Sequence, residues 1–377
     1  LKILHIAKFY PPEPGGIENF VSDLAEEQAK KGHEVLVLAH QSGFGLPTDW
    51  KRRGKVEVGR VRSFGQAAYV PVAPEFSIEL YKVQNRFRPD LVHAHMPNAS
   101  AFWLLFAKLR VPLILHWHSD VVPSRLDRKM AVLYPFYRQW ESLLLKQAAR
   151  VITTSDAYFR SSEALRPYQK KCRTIPLGMN PQRVRQARRG CSDREDETLK
   201  VLSVGRFAYY KGFEYLVRAA ESVPEARFIL VGDGPRRPAI EREISRKNLT
   251  ERVLLPGKVD AVRLNAYLAE CDIFCLPSIE RTEAFGLVLL EAMSLGKPLV
   301  TTAIEGSGVT EVNRHGISGL LVPPEDAQAL AEAIHRLRKN QRERKEMGKR
   351  AGNRFASRFH IQEVASKING VYEAALE

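Results

Sequence analysis

Along the chain, short β-branched apolar runs alternate with longer segments whose apolar residues recur at helical spacing. Lys2–Ala7 predicts a strand, Glu18–Lys31 a helix and Glu34–Ala39 the next strand. Leu91–Ala94, Pro112–His116 and Val151–Thr154 predict later strands with helices between them. Near-continuous apolar strands alternating with helices indicate an α/β class of parallel sheets covered on both faces. The alternation stops after Ile175–Asn180, and the polar, charged Pro181–Thr198 reads as a linker. It restarts with Lys200–Gly205, Arg227–Val231, Val253–Leu255, Ile273–Leu276 and Pro298–Thr301. The pattern therefore predicts two tandem α/β domains, 1–180 and 199–360, without a short-period repeat. Ala327–Leu376 has a helical pattern, and its basic stretch Arg336–Arg350 reads as a solvated helix face.

Composition agrees with two domains, since 377 residues with 44% hydrophobic exceed one ordinary core. No uncharged apolar run reaches the ~18 residues of a membrane-spanning helix. Leu1–Ala7 lacks the basic start of a signal peptide and reads as a buried strand. Cys172, Cys191, Cys271 and Cys275 form no disulfide framework, so a reducing cytoplasm is the expected location. The net charge of +15 favours anionic partners, whether nucleic acid, acidic lipid headgroups or phosphorylated small molecules.

Ligands of open parallel sheets bind beyond the carboxyl ends of strands, so the loops there carry the candidate chemistry. After the first strand, Gly15-Gly16 at a helix start exposes backbone N–H groups suited to an anion. The G-x-G-x-x-G spacing is absent, and the second strand ends in Ala39-His40 without an acidic residue, which argues against a nicotinamide enzyme. His116 and His118 close another predicted strand, and His118 is the better candidate because it is nearer the loop. We expect these alternating histidines, like His93 and His95, to point to opposite sheet faces, which argues against a two-histidine metal site.

The second half carries stronger signals. Arg206 and Lys211 follow a strand and precede a helix, where they can hold a diphosphate, Arg by paired hydrogen bonds and Lys as a point charge. Gly232-Asp233-Gly234-Pro235 reads first as a structural turn. Ser278–Met293 follows an apolar strand; a helix should begin near Ala284–Gly286 and stop near Leu295, before Gly296 and Pro298. Glu283 precedes that helix and Glu291 lies about two turns along it. Its amides suit a phosphate, while the two carboxylates can accept hydrogen bonds from sugar and ribose hydroxyls. Glu291, within an apolar segment, would be costly if buried unpaired.

In order and placement, Gly15-Gly16, His118, Arg206, Lys211 and the Glu283/Glu291 pair resemble glycosyltransferase family 4 of the GT-B superfamily across essentially the whole chain. His118-Ser119-Asp120, Arg206–Gly212, Arg281–Gly286 and Gly308–Asn313 are similar to a bacterial branch that builds surface polysaccharides. The resemblance implies a GT-B fold, with two Rossmann-like domains facing an interdomain cleft and a last helix, 361–377, returning to the N-terminal domain. It implies a retaining transferase needing no metal or other cofactor. Arg206 and Lys211 would stabilise the leaving diphosphate, Glu283 would orient the donor sugar, Glu291 would hold the ribose and His118 would touch the sugar. Gly15, Gly16 and Gly286 would offer backbone N–H groups; Ala284, Phe285 and Leu287 complete the donor loop, and Lys258-Val259 would frame the base. Tyr209-Tyr210 departs from the Pro-Glu common in the family.

The expected donor is a nucleoside diphosphate hexose, GDP-mannose ahead of UDP-glucose, and the acceptor a saccharide, free or lipid-linked. Ser124–Lys146 mixes Arg125, Arg128, Lys129 and Arg138 with Tyr134, Phe136, Tyr137 and Trp140. It reads as a core-covering helix or as a contact with the anionic inner face of the plasma membrane, with Pro135 interrupting or kinking it. The alternatives are a non-catalytic nucleotide-sugar-binding protein and a nucleotide-sugar epimerase of the same fold. No zinc-finger, RNP-like or basic-zipper pattern supports a nucleic-acid partner.

Overall fold

The computed structural model describes residues 1–67, 70–121, 128–185 and 198–377. It divides into two compact units, Leu1–Met179 with Ile361–Glu377, and Asn180–His360. Cys191, Arg125 and most of the expected linker lie outside the described residues; within the linker, Gln182–Arg185 forms a short helix.

The first unit contains β1 (Lys2–Ile6), β2 (Glu34–Phe44), β3 (Asp49–Arg53), β4 (Val56–Ser63), β5 (Gln66–Ala67), β6 (Val70–Pro71), β7 (Leu91–Met96), β8 (Leu113–Trp117), β9 (Arg150–Thr153) and β10 (Cys172–Thr174). Eight of these strands form one sheet in the order β10-β9-β8-β7-β1-β2-β4-β3, parallel except for the edge pair β3/β4. Strands β3 and β4 were not expected. Arg52 and Arg53 make β3 too polar to read as a strand, because its residues are exposed or half-exposed at the sheet edge. The helices α1 (Gly16–Lys30), α2 (Phe76–Phe87) and α3 (Arg128–Gln147) belong to this unit. Pro135 lies within α3 without ending it, correcting the expected interruption. It sits on the exposed side, where water can satisfy the carbonyl that loses its donor. The C-terminal helix, Ile361–Leu376, packs on this unit through α1 and through the Ile361 N–H, which donates to the Met179 carbonyl.

The second unit holds β11 (Leu199–Val204), β12 (Ala226–Val231), β13 (Val253–Gly257), β14 (Ile273–Leu276), β15 (Leu299–Thr302) and β16 (Gly319–Val322). They order as β13-β12-β11-β14-β15-β16, all parallel. Chain order therefore reverses between β11 and β14, the crevice where doubly wound sheets bind ligands. The core packs Phe207, Phe213, Phe228, Leu230 and Ile334 around this sheet. Among the described residues, no helix is long and apolar enough to cross a membrane.

Candidate functional site

The loops after β11 and β14 open on either side of that reversal. Phe207 is fully buried and anchors the first loop, its N–H donating to the Asp233 carbonyl at 2.9 Å. Tyr209–Lys211 make a single 3₁₀ turn, and the Ile279 N–H ties the second loop to the Tyr210 carbonyl at 2.8 Å. Gly212 follows with φ of 63°, and a Cβ there would lie 2.2 Å from the Pro277 carbonyl oxygen. Gly212→Ala is expected to destabilise the second unit by about 2 kcal/mol or more, from the strained backbone and the overlap together. Chemical denaturation would show it, and an unchanged midpoint would mean that the loops part freely.

This stitching brings together two residues separated widely in sequence. Lys211 Nζ meets Glu283 Oε2 at 2.5 Å, both side chains about one-tenth exposed. Burial alone would lower the Lys211 pKa, but attraction to Glu283 and Tyr210 and the hydrogen bond to Glu283 outweigh it, and the net shift is upward. The ammonium therefore stays charged. Ser278 donates to the same Glu283 oxygen at 3.0 Å, and Ser307 Oγ donates to the Glu283 carbonyl at 2.5 Å. Neither serine was singled out in the sequence, because a lone serine in a loop carries no pattern. The Tyr210 ring faces Lys211 Nζ at 5.6 Å, while Tyr209 is exposed. The two tyrosines thus divide between holding the lysine and facing solvent.

The helix after this loop, Leu287–Ser294, begins slightly later than expected, behind Gly286 with φ of 77°. Ala284 is half-buried, and its carbonyl accepts from the Gly308 N–H at 2.8 Å. Phe285 is buried edge-on to Phe359, so its side chain serves the core. Leu287 is half-buried. Glu291 lies two turns along, one-fifth exposed, with Arg183 Nη2 at 4.0 Å. Arg206 is exposed beside β11; Lys258 is exposed and Val259 half-buried just after β13.

In the first unit, α1 begins at Gly16 with Gly15 extended before it. Glu18 folds back over this turn, so that a Cβ on Gly15 would sit 1.9 Å from Glu18 Oε2. Burial raises the Glu18 pKa, partly opposed by its own backbone N–H and by Lys8. A carboxylate thus lies at the helix start that was expected to receive a phosphate.

The histidines require a correction. Residues i and i+2 of a strand share a face, so His93 and His95 lie together, as do His116 and His118. His116 and His118 rings stack at 4.4 Å with parallel planes, and His93 and His95 at 4.5 Å. His5 on β1 pairs in register with His93, completing one buried cluster across three adjacent strands. Ligand atoms within His5/His93/His95 and within His95/His116/His118 lie within 4.8 Å of one another. Within the first group the His5 and His93 planes are 41° apart, while the stacked pairs are 0° to 28° from parallel. Burial holds His118 down to about 3 and His5 to about 4, so both are neutral near pH 7.

Two family models match the chain, one described as glycosyltransferase family 4 over residues 14–183 and the other as glycosyl transferases group 1 over residues 185–354. A D-rhamnosyltransferase of Pseudomonas aeruginosa, WbpZ, is 30% identical over 95% of this chain and 92% of its own. The chain belongs to glycosyltransferase family 4. O-antigen chain mannosyltransferase C of Escherichia coli is 29% identical over 100% of this chain and 99% of its own. Among solved structures, sucrose-phosphate synthase from Thermosynechococcus elongatus superposes with a TM-score of 0.81 at 24% identity, covering 99% of this chain and 98% of that one. Anabaena HepE in complex with UDP superposes at 0.74 and 21% identity, covering 99% and 100%. These last two likenesses concern the GT-B fold. This family 4 protein is a glycosyltransferase.

Proposed function

We propose that this glycosyltransferase moves a hexose, with retention of configuration, from a nucleoside diphosphate donor to a saccharide acceptor of a cell-surface polysaccharide. The observation that carries the reading is the buried Lys211–Glu283 pair at the strand-order reversal of the second unit. An ammonium held charged on the same loop as an exposed Arg206 supplies fixed positive charge for a departing diphosphate, the task a metal performs elsewhere. Glu283, already accepting from Lys211 and Ser278, has acceptor capacity left for a sugar hydroxyl. The bond from the anomeric carbon to the phosphate oxygen breaks as the acceptor oxygen bonds on the same face. The acceptor's proton passes to the leaving phosphate oxygen, so no enzyme nucleophile is required. Glu291 would hold the ribose once Arg183 yields it, and His118 would meet the sugar.

GDP-mannose is the favoured donor, supported by the mannosyltransferase relative. UDP is the second reading, favoured by the HepE complex. A lipid-linked acceptor at the membrane surface is supported by an exposed aromatic patch in the first unit. Trp103, Phe106, Trp140 and Leu143 are each two-fifths or more exposed, Phe106 and Trp140 rings lie 5.7 Å apart, and Lys108, Arg110 and Arg138 are exposed. Calorimetric titration with GDP and UDP in EDTA tests the donor site. Binding of GDP well above UDP is expected, without added metal. Tighter UDP would reassign the donor, and binding of neither would remove Arg206, Lys211 and Glu291 from a donor role.

A further inference from the structure

The buried histidines lie in one continuous chain of hydrogen bonds that leads away from His118. His118 Nε2 lies 3.0 Å from His95 Nδ1, and His95 Nε2 lies 3.0 Å from His5 Nδ1. His5 Nε2 lies 2.8 Å from the Gln28 carbonyl oxygen on α1, and the Gln28 amide donates to the Tyr372 hydroxyl at 3.0 Å. Tyr372, on the C-terminal helix, lies 2.6 Å from His93 Nδ1. All these residues belong to the first unit.

Proton counting orders this chain. A neutral imidazole carries one N–H and one lone pair, so each ring that accepts at one nitrogen must donate at the other. The Gln28 oxygen can only accept, so His5 donates from Nε2 and accepts at Nδ1. His95 then donates from Nε2 and accepts at Nδ1, and His118 donates from Nε2. What remains is the His118 Nδ1 lone pair, a buried atom without a partner in the structure. Tyr372 accepts from Gln28 and donates to His93 Nδ1, which leaves the His93 N–H at Nε2, also buried and unpartnered. Had Gln28 turned its amide over, every ring in the line would reverse and His118 would present an N–H instead.

We propose that Gln28 and Tyr372 are positioning residues that set the tautomer of His118 through His5 and His95. His118 thereby presents a lone pair at Nδ1, ready to accept a hydrogen bond from a substrate hydroxyl. The link from His118 to substrate rests on the function proposed above; the ordering of the chain does not. No bond is made or broken within it. The relay requires neutral rings, and burial holds His5, His95 and His118 well below their usual range.

The test uses the full chain with ¹⁵N-labelled histidine, whose ring nitrogens report tautomer directly near pH 7. In the wild type, His5, His95 and His118 are all expected as Nε2–H. Gln28→Glu keeps an obligatory acceptor toward His5 and is expected to preserve this order. Gln28→Leu removes it, and His118 should then show mixed tautomers although it does not touch residue 28. Tyr372→Phe, which frees the Gln28 amide to turn, is the second route to the same loss should Gln28→Leu fold poorly. Unlike tautomers among the three rings in the wild type, or a His118 unmoved while His5 changes, would overturn the proposal. In Gln28→Leu and Tyr372→Phe, but not in Gln28→Glu, kcat is expected to fall about tenfold or more with the donor KM unchanged, as when a catalytic imidazole is held in the wrong tautomer. If the tautomers follow this pattern and kcat does not, the relay stands and His118 leaves the active site.

Discussion

Lys211→Ala is expected to cut turnover about 10³-fold at saturating donor, the scale on which one pre-positioned charge stabilises a leaving group. Glu283→Ala should lose as much, because Lys211 then has no fixed position. Both variants should also be less stable, since each leaves the other member of a buried pair uncompensated, at a cost of about 3 kcal/mol or more. Lys211 and Glu283 are each about one-tenth exposed, so solvent relieves little of that cost. The double variant, with neither charge left alone, should recover much of the stability and none of the activity. This separation is the diagnostic result. Product formation within about threefold of wild type in either single variant, measured with a folded sample, would reduce the pair to a structural ion pair.

The second large effect is acid sensitivity of the first unit. Burial holds His5 and His40 down to about 4 and His118 to about 3, with His93, His95 and His116 also well below 6.5. The unfolded chain protonates these rings near pH 6.5, so below that pH the unfolded state binds more protons and stability falls, until pH reaches the folded values. Each of His5, His40 and His118 should remove about 2 kcal/mol between pH 7 and pH 5. Glu141 runs the other way. Burial and Asp120 raise its carboxyl to about 8 against Arg138, so stability lost as pH rises from 4.5 toward 8 is regained on acidification, about 2–3 kcal/mol over the same interval. The histidines outweigh it. Urea midpoints at pH 7 and pH 5, followed by tryptophan fluorescence, should show the first unit unfolding much more easily at pH 5. Equal midpoints would mean that water reaches the histidine cluster in solution.

Both effects arise from contacts that local pattern could not supply. Buried parallel strands are apolar runs between loops, so β1, β7, β11 and β14 were legible to within a few residues, together with the two α/β halves. The loops after β11 and β14 were legible as candidate sites because ligands gather at strand ends. The antiparallel pair β3/β4 was not: the outer strand β3 lies at the sheet edge, where exposed positions tolerate polar residues, and β4 beside it alternates buried and half-buried positions. Glu291 was read as a helix carboxylate needing a partner, but that the partner is Arg183 depends on where the segment after Asn180 lies.

By itself, then, the sequence determined most of the buried parallel strands, that they form two α/β domains, and which charged residues stand at strand ends. These are consequences of periodicity and turn chemistry, which act over a few residues. Strand order was decided only by the tertiary structure. It set β11 beside β14 and so joined Lys211 to Glu283, and it set β1, β7 and β8 side by side so that His5, His95 and His118 line one face beneath Gln28 and Tyr372. Such pairings join residues distant along the chain, and only the packing of one element against another brings them into contact.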